Sequence, residues 1–263
     1  MTQAASRPIA FVLAASQQGT LIVNRNDYAS TPEFTYGVGH QILANGAYDP
    51  EEIDSVLKIL SQCRYLNGDG VVALDCGANI GVHSIECARH MAGWGSIVAI
   101  EAQERIFYAL AGNIALNNCH NARAMWAAVG AENGAIDVPD IDYNVPASYG
   151  SLEIRSSERN ENIGQAVSYD KAHTSPIRLL TIDSLDLSRI DFIKIDIEGM
   201  ELEALDGARE TIARHQPVMA IEHIKTDLNQ LVQFLTDFGY DHFAMGMNLL
   251  AFHSSKTKSY IAL

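Results

Sequence analysis

Apolar residues at Ile53, Val56, Leu57 and Leu60 recur at the spacing of one helix face, behind the opening Asp49-Pro50-Glu51-Glu52. Asp49 is placed to cap that helix and Pro50 suits its first position. The turn cluster Asn67-Gly-Asp-Gly70 ends it and hands the chain to an apolar strand at Val71–Asp75. From there the two periods alternate. A helix near Val82–His90 follows, then a strand over Ser96–Glu101 whose core is Ile97-Val-Ala-Ile. A helix over Glu104–Asn117 has Phe107, Leu110, Ala111 and Ile114 on one face, and a strand over Ala124–Val129 comes next. Later strands are predicted at Ile177–Ile182, Ile190–Glu198 and Pro217–Glu222, with helices at about Met200–His215 and at Asp227–Phe238, the latter closed by Gly239. The final runs, Tyr240–Gly246 and Leu249–His253, are joined by too few residues for a crossover and must pair antiparallel. Together these elements predict an α/β fold, a mostly parallel sheet with helices on both faces and an antiparallel hairpin at its C-terminal end.

Two regions break the rhythm. Residues 8–48 read as short strands and turns, with Thr20–Val23 and Phe34–Val38 the best strands, so 1–69 is expected to be an N-terminal extension packed on a core formed by 70–263. Between Gly130 and Pro176 polar, Ser-rich and Asn-rich sequence surrounds short strand-like pieces at Ala135–Val138 and Ser151–Ile154. Segments of this length inside a domain are commonly binding loops, so part of an acceptor site is expected in this insert, whose divergent stretch is about 139–176.

Composition narrows the partners. The 263 residues are 48% apolar, enough for one large core, and 18 Lys and Arg against 32 Asp and Glu leave a net charge of −14. Such a chain has no basic surface to neutralise phosphates, so nucleic acid is not the expected partner. Cys63, Cys76, Cys87 and Cys119 show no metal-ligand spacing and read as reduced core thiols of a cytoplasmic protein. The apolar run Ile9–Ala15 behind Met1-Thr-Gln-Ala-Ala-Ser-Arg-Pro is too short to span a membrane and lacks a strong basic lead, so neither a targeting signal nor a membrane partner is expected.

The chemistry begins where the first core strand runs into Gly77-x-x-x-Gly81 and a helix. That arrangement puts backbone N–H groups and a helix N-terminus at the carboxyl edge of a sheet, where open α/β folds bind ligands. Glu101 ends the second strand 24 residues after Gly77, about where a carboxylate accepts hydrogen bonds from ribose hydroxyls. Asn79 stands roughly where a dinucleotide fingerprint has its middle glycine. Asn tolerates left-handed backbone, so the turn stays tight, but a pyrophosphate finds less room. S-adenosylmethionine has the ribose and adenine without the phosphates, and fits.

A second constellation follows in Asp191-Phe-Ile-Lys-Ile-Asp-Ile-Glu198-Gly199, where Ile193, Ile195 and Ile197 alternate with Lys194, Asp196 and Glu198. A central parallel strand should be apolar on both faces, so three charges toward its carboxyl end point to a polar cleft there. Glu222-His223 ends the next strand and is expected on the same rim. Asp196, Glu198, Glu222 and His223 could bind the cofactor's ammonium, take a proton from a hydroxyl, or hold a divalent cation such as Mg through Asp196 and Glu222 with at most a weak dependence. A salt-bridge network around Lys194 is the structural alternative. His223 is the first choice of base because an ordinary imidazole titrates near neutrality, and His83 and His173 come behind it.

Leu74-Asp-Cys-Gly-Ala-Asn-Ile-Gly81, Ala99-Ile-Glu-Ala102, Gly112-Asn-Ile-Ala-Leu-Asn117, Leu180-Thr-Ile-Asp183 and Phe192-Ile-Lys-Ile-Asp-Ile-Glu-Gly-Met-Glu201 together resemble the FkbM family of S-adenosylmethionine-dependent methyltransferases, over roughly Val71 to Lys225. Val23-Asn-Arg-Asn-Asp27 and Gly46–Ile53 resemble its lead-in. The resemblance implies a class I methyltransferase Rossmann-like fold with a seven-stranded sheet, and O-methylation of a sugar or secondary-metabolite hydroxyl. It implies a cofactor held by Asp75, Gly77, Ala78, Asn79, Gly81, Glu101 and Ala102, with Asp196 at the reacting end. Cys76 stands where the family usually has an aliphatic residue, and the 139–176 insert is too divergent to carry an acceptor residue across. Two rivals stand beside this reading: a catalytically silent cofactor-binding module serving a protein partner, and a nicotinamide-dependent dehydrogenase, which the Gly77-x-x-x-Gly81 turn and terminal hairpin disfavour.

Overall fold

The structure, a computed structural model, describes residues 8–261, so the first seven residues of the segment read for a targeting signal lie outside the described residues, while most of its apolar run Ile9–Ala15 falls in the first strand. The N-terminal part holds a hairpin of β1 (Phe11–Ser16) and β2 (Gly19–Asn24), the two-residue strands β3 (Ala29–Ser30) and β4 (Thr35–Tyr36), and helices α1 (Val38–Asn45) and α2 (Pro50–Asn67). Then come β5 (Val71–Cys76), α3 (Val82–His90), β6 (Gly95–Glu101), α4 (Glu104–Leu116) and β7 (Ala122–Trp126), followed by β8 (Ala128–Val129), β9 (Gly134–Pro139) and β10 (Thr174–Leu180). The chain ends through β11 (Phe192–Ile195), α5 (Glu201–Asp206), α6 (Arg209–His215), β12 (Val218–Glu222), α7 (Leu228–Asp237), β13 (Tyr240–Met245), β14 (Asn248–His253) and α8 (Thr257–Ile261).

The main sheet has seven strands in the order β13-β14-β12-β11-β5-β6-β7. Every pair from β12 to β7 is parallel, while β14 runs antiparallel to both β12 and β13. The order steps outward from β5 on both sides, toward β6 on one and β11 on the other. The loops at their carboxyl ends therefore diverge and leave the crevice in which such sheets bind ligands. One apolar layer packs α2 and α3 residues, including Val56, Leu60 and Ile85, against Val71 and Ala73. The opposite layer packs α6 and α7 residues, including Ile212, Leu231 and Leu235, against Leu74, Ile193 and Met219.

Several expected elements change shape, each for a traceable reason. Asp49 sits in a left-handed conformation and makes no side-chain cap, although its carbonyl accepts the first helical bond from Ile53. The expected strand Phe34–Val38 shrinks to β4 because Gly37 starts α1, a helix the sequence pattern did not reveal. The expected strand Ala124–Val129 breaks at Ala127, whose N–H still reaches Glu101 O while Ala128 and Val129 pair with β10 in a three-stranded side sheet. Ser151–Ile154 is no strand; a single tight turn occupies Tyr149–Ser151. The expected helix Met200–His215 is two helices because Gly207 presses on the Gly130 carbonyl. The Asp183 carboxylate then accepts from Glu210 N and Thr211 N to cap α6. By contrast Asp227 caps α7 from within, accepting from Asn229 N and Gln230 N.

Candidate functional site

A cavity of about 470 Å³ opens at the carboxyl edge of β5, β6, β11 and β12 and is walled on its far side by residues from β4, α1 and the insert. That volume suits a ligand of drug size. Gly77, Ala78 and Asn79 from the turn after β5, Glu101 and Ala102 from the end of β6, and Asp75 and Asp196 all line it. Gly81 does not: it precedes α3 at φ 90° and packs against Leu110, so its part is to turn the chain rather than face a ligand.

The turn is stitched to its neighbours by backbone. Gly77 N and Ala78 N both donate to Ile100 O, and Asp196 N donates to Cys76 O, which ties the β5, β6 and β11 loops into one unit. Asn79 adopts the left-handed conformation its residue type favours, at φ 51°, and its N–H donates to Glu101 Oε2 at 2.9 Å. Gln103 N donates to Glu101 Oε1 at 2.8 Å. Burial outweighs these bonds and pushes the Glu101 carboxyl up to about 7. Among the described non-glycine residues with positive φ, three of the six, Asp49, Asn79 and Glu198, line the cavity; strained backbone concentrates where a ligand would sit.

The other end of the cavity is acidic. Eight carboxylates line the whole space against two lysines, Lys194 and Lys225. Lys194 lies inside central strand β11 at 4% exposure and donates to Asp196 Oδ2 at 2.6 Å. Burial alone would lower its pKa, but Asp196, Asp75 and Glu52 hold it above the ordinary lysine value. Lys225 contacts Glu198 Oε2 at 2.6 Å and Glu161 Oε2 at 3.0 Å and donates to Ser151 O at 2.9 Å, which fastens the insert to the rim. The loop after β11 is held by Glu201, which accepts from Ile197 N and Gly199 N and from the Thr226 hydroxyl. Asp196, Glu198 and Glu222 present oxygens within 4.8 Å of one another. Burial raises Glu198 to about 8, Lys225 opposing and Asp196 reinforcing the shift; burial and the neighbouring acids raise Glu222 to about 9.

Asp196, Glu198 and Glu222 are thus brought together, and His223 is not among the residues lining the cavity. His223 lies just past the end of β12, and its backbone N–H donates to Met247 O. His83 does line the cavity, with Nε2 3.2 Å from Glu52 Oε1 but outside hydrogen-bond alignment, whereas His173 stands in the turn before β10, away from it. Lys225, Asn248 and Glu52 are wall residues the sequence reading missed. Glu222 and Asn248 are cross-strand neighbours, which only the pairing of β12 with β14 makes visible. The four cysteines are free and buried. No described helix is long and apolar enough to cross a membrane.

A family model described as Methyltransferase FkbM domain matches residues 75–241. Among solved structures, the methyltransferase FkbM from Methylobacillus flagellatus KT is 21% identical at a TM-score of 0.49; the match covers 70% of this chain and 44% of that one, so this chain spans less than half its length. The precorrin-6y C5,15-methyltransferase from Geobacter metallireducens GS-15 is 18% identical, with 79% and 89% of the two chains covered and a TM-score of 0.43. A SAM-dependent methyltransferase from Aquifex aeolicus is 14% identical, with 78% and 97% covered and a TM-score of 0.36. No curated protein matches the sequence.

Proposed function

The chain belongs to the FkbM methyltransferase family and has the class I methyltransferase fold, and from that premise we propose that it takes a methyl group from S-adenosylmethionine and places it on a hydroxyl oxygen of a small polar acceptor, a sugar or secondary metabolite. One observation carries the reading: the Gly77–Asn79 turn, Glu101 and Asp196 wall a single cavity together with Glu198, Glu222 and Lys225. Family membership removes the nicotinamide alternative. Nucleic acid stays outside the proposal because the lining is acidic, and a reducing, cytoplasmic setting suits the four free thiols.

S-adenosylmethionine supplies an electrophilic methyl on a sulfonium. The residues provide binding, orientation and a place for the proton. Glu101 would accept from the ribose hydroxyls, the 77–79 backbone would line the nucleoside, and Asp75, with Oδ1 unpartnered, would receive the ammonium. At the reacting end Lys194 fixes Asp196 through Oδ2, which leaves Oδ1 to take the acceptor's proton, a contribution of roughly 10²–10⁴ in rate. Glu198, held by Lys225, would shape the acceptor side. Titration calorimetry with S-adenosylmethionine and S-adenosylhomocysteine tests the first half, and failure of both to bind ends the proposal. Methyl transfer to any member of a panel of glycosides and hydroxylated metabolites excludes the silent-module rival.

The carboxyl of Glu101 makes cofactor affinity depend on pH. Its folded value, about 7, lies above the ordinary 4.5, so the stability its neutral form contributes is full below 4.5 and lost as pH rises through 7. The ionised form is the better acceptor for ribose hydroxyls. Affinity for S-adenosylhomocysteine should therefore rise by up to about tenfold per pH unit below 7 and level off above it. A flat profile from pH 5.5 to 8.5 in the native chain, or an unchanged slope in Glu101→Gln, would refute the assignment.

A divalent cation fits the acidic end poorly. Lysine ammoniums already sit 2.6 Å from Asp196 Oδ2 and Glu198 Oε2, and a divalent cation placed among these carboxylates would be repelled by both. Exhaustive chelation should leave transfer at its full rate; activity lost to chelator and restored by Mg would reverse this.

A further inference from the structure

Four buried side-chain polar atoms among the described residues lack a hydrogen-bond partner: Asp75 Oδ1, His83 Nε2, Glu222 Oε2 and Asn248 Oδ1. All four residues line the same cavity. A bare buried polar atom is costly, and four of them in the walls of one cavity point to a ligand toward which these side chains can turn. The cofactor's ammonium accounts for Asp75, and His83 leans on Glu52. Glu222 and Asn248 remain. They are direct partners across the antiparallel β12–β14 pair, so their side chains stand side by side on one face, and Asn248 is only 4% exposed.

The donor that suits this pair can be chosen by valence and charge. A hard divalent cation would be repelled there by the two lysine ammoniums. A neutral hydroxyl offers one hydrogen and no charge. A primary ammonium offers three N–H donors and a positive charge to a cavity with eight carboxyl groups and two lysines, and its arrival draws Glu222, otherwise held neutral at pH 7, into the ionised form with release of a proton. The upward push on Glu222, from burial first and then from Asp196, Glu198 and Glu201, is that of a carboxylate whose neighbours leave it short of counter-charge.

We propose that Glu222 and Asn248 receive a protonated amine of the acceptor, so that the molecule methylated is an amino alcohol, or a sugar bearing a free amino group, rather than a neutral polyol. The ammonium lies near the reacting hydroxyl, because Asp196 and Glu222 present oxygens within 4.8 Å of each other. This rests on the methyl-transfer reading above, and the two fail separately: S-adenosylhomocysteine binding tests that reading, while amine binding is measured by itself.

The probes are 2-aminoethanol and its neutral N-acetyl derivative, titrated into the protein saturated with S-adenosylhomocysteine and followed by calorimetry, or by saturation-transfer NMR where binding is weak. The amine should bind at least about tenfold more tightly, as a charge-assisted hydrogen bond allows. The preference should vanish in Glu222→Gln and be indifferent to chelator. Retained S-adenosylhomocysteine binding certifies the fold of that variant. Asn248→Leu, which removes only a neutral acceptor, is the second variant and should weaken the amine while keeping part of the preference. Equal binding of the two probes, binding of neither, a preference that survives Glu222→Gln, or one that requires a divalent cation each overturn the proposal.

Discussion

Gly77→Ala should abolish cofactor binding and lower the thermal midpoint by roughly 6–12 °C, the shift expected for about 3 kcal/mol in a chain of this size. Gly77 has φ +83°, where an L residue carries a penalty of roughly 1–2 kcal/mol, and a Cβ there would overlap the carbonyl oxygen of Asp196. That oxygen is backbone and cannot swing aside. Its strand end is bonded to Cys76 O, while Gly77 N is bonded to Ile100 O. An added methyl therefore has to part β5 from β11 at the very edge where the nucleoside would lie. Gly93 supplies the control: its φ is +82°, but nothing stands within 4 Å of a Cβ built on it. Gly93→Ala should show the backbone penalty alone, roughly 1–2 kcal/mol, with cofactor affinity intact. Equal destabilisation of the two variants, or S-adenosylhomocysteine binding undiminished in Gly77→Ala, would mean the close approach of the two loops is unimportant.

The contrast between these glycines also marks what a sequence can disclose. The turn at 77–81 was legible because its constraint is local: an apolar strand, a glycine, an Asn able to adopt φ 51°, then a helix. Glu101 was legible by spacing, and the hairpin of β13 and β14 by the shortness of its link. The failures involve partners far apart in the chain. α6 begins where it does because Asp183, 27 and 28 residues away from the amides it caps, reaches Glu210 N and Thr211 N. Lys225 holds Glu161, and Asn248 faces Glu222, through tertiary pairings that leave no periodic trace. His223 is different. It follows the last residue of β12, where alternation along the strand no longer says which side chains reach the rim, and the chain there turns so that Ile224 and Lys225 line the cavity while His223 does not. Lys194 was noticed as a charge on a central strand, and that oddity was the right signal, since buried charges require partners.

Lys194→Met keeps an unbranched apolar stem of nearly the same reach, with a thioether in place of one methylene, and removes the ammonium, so it reports chiefly on what that charge does. Lys194 is 4% exposed and its ammonium lies 2.6 Å from Asp196 Oδ2, with Asp75 and Glu52 also holding it in the charged state. Removing one partner of a buried pair typically costs about 3–5 kcal/mol, because the remaining charge has lost both water and counter-ion. The sign of the pH dependence follows. Lysine's folded value is raised, so the native contribution is complete below the ordinary 10.5 and is lost only as pH climbs through the folded value; it stays constant between pH 5 and 9. In the variant, the carboxylates left behind repel one another and take up protons more readily. Denaturant unfolding should therefore show the largest deficit at pH 8 and a partial recovery at pH 5. Adding Asp196→Asn to Lys194→Met should restore part of the loss at pH 8, since the orphaned charge is then gone. A deficit that is equal at both pH values, and untouched by the second substitution, would show that Lys194 contributes its methylenes to the core and nothing to the charge balance of the cavity.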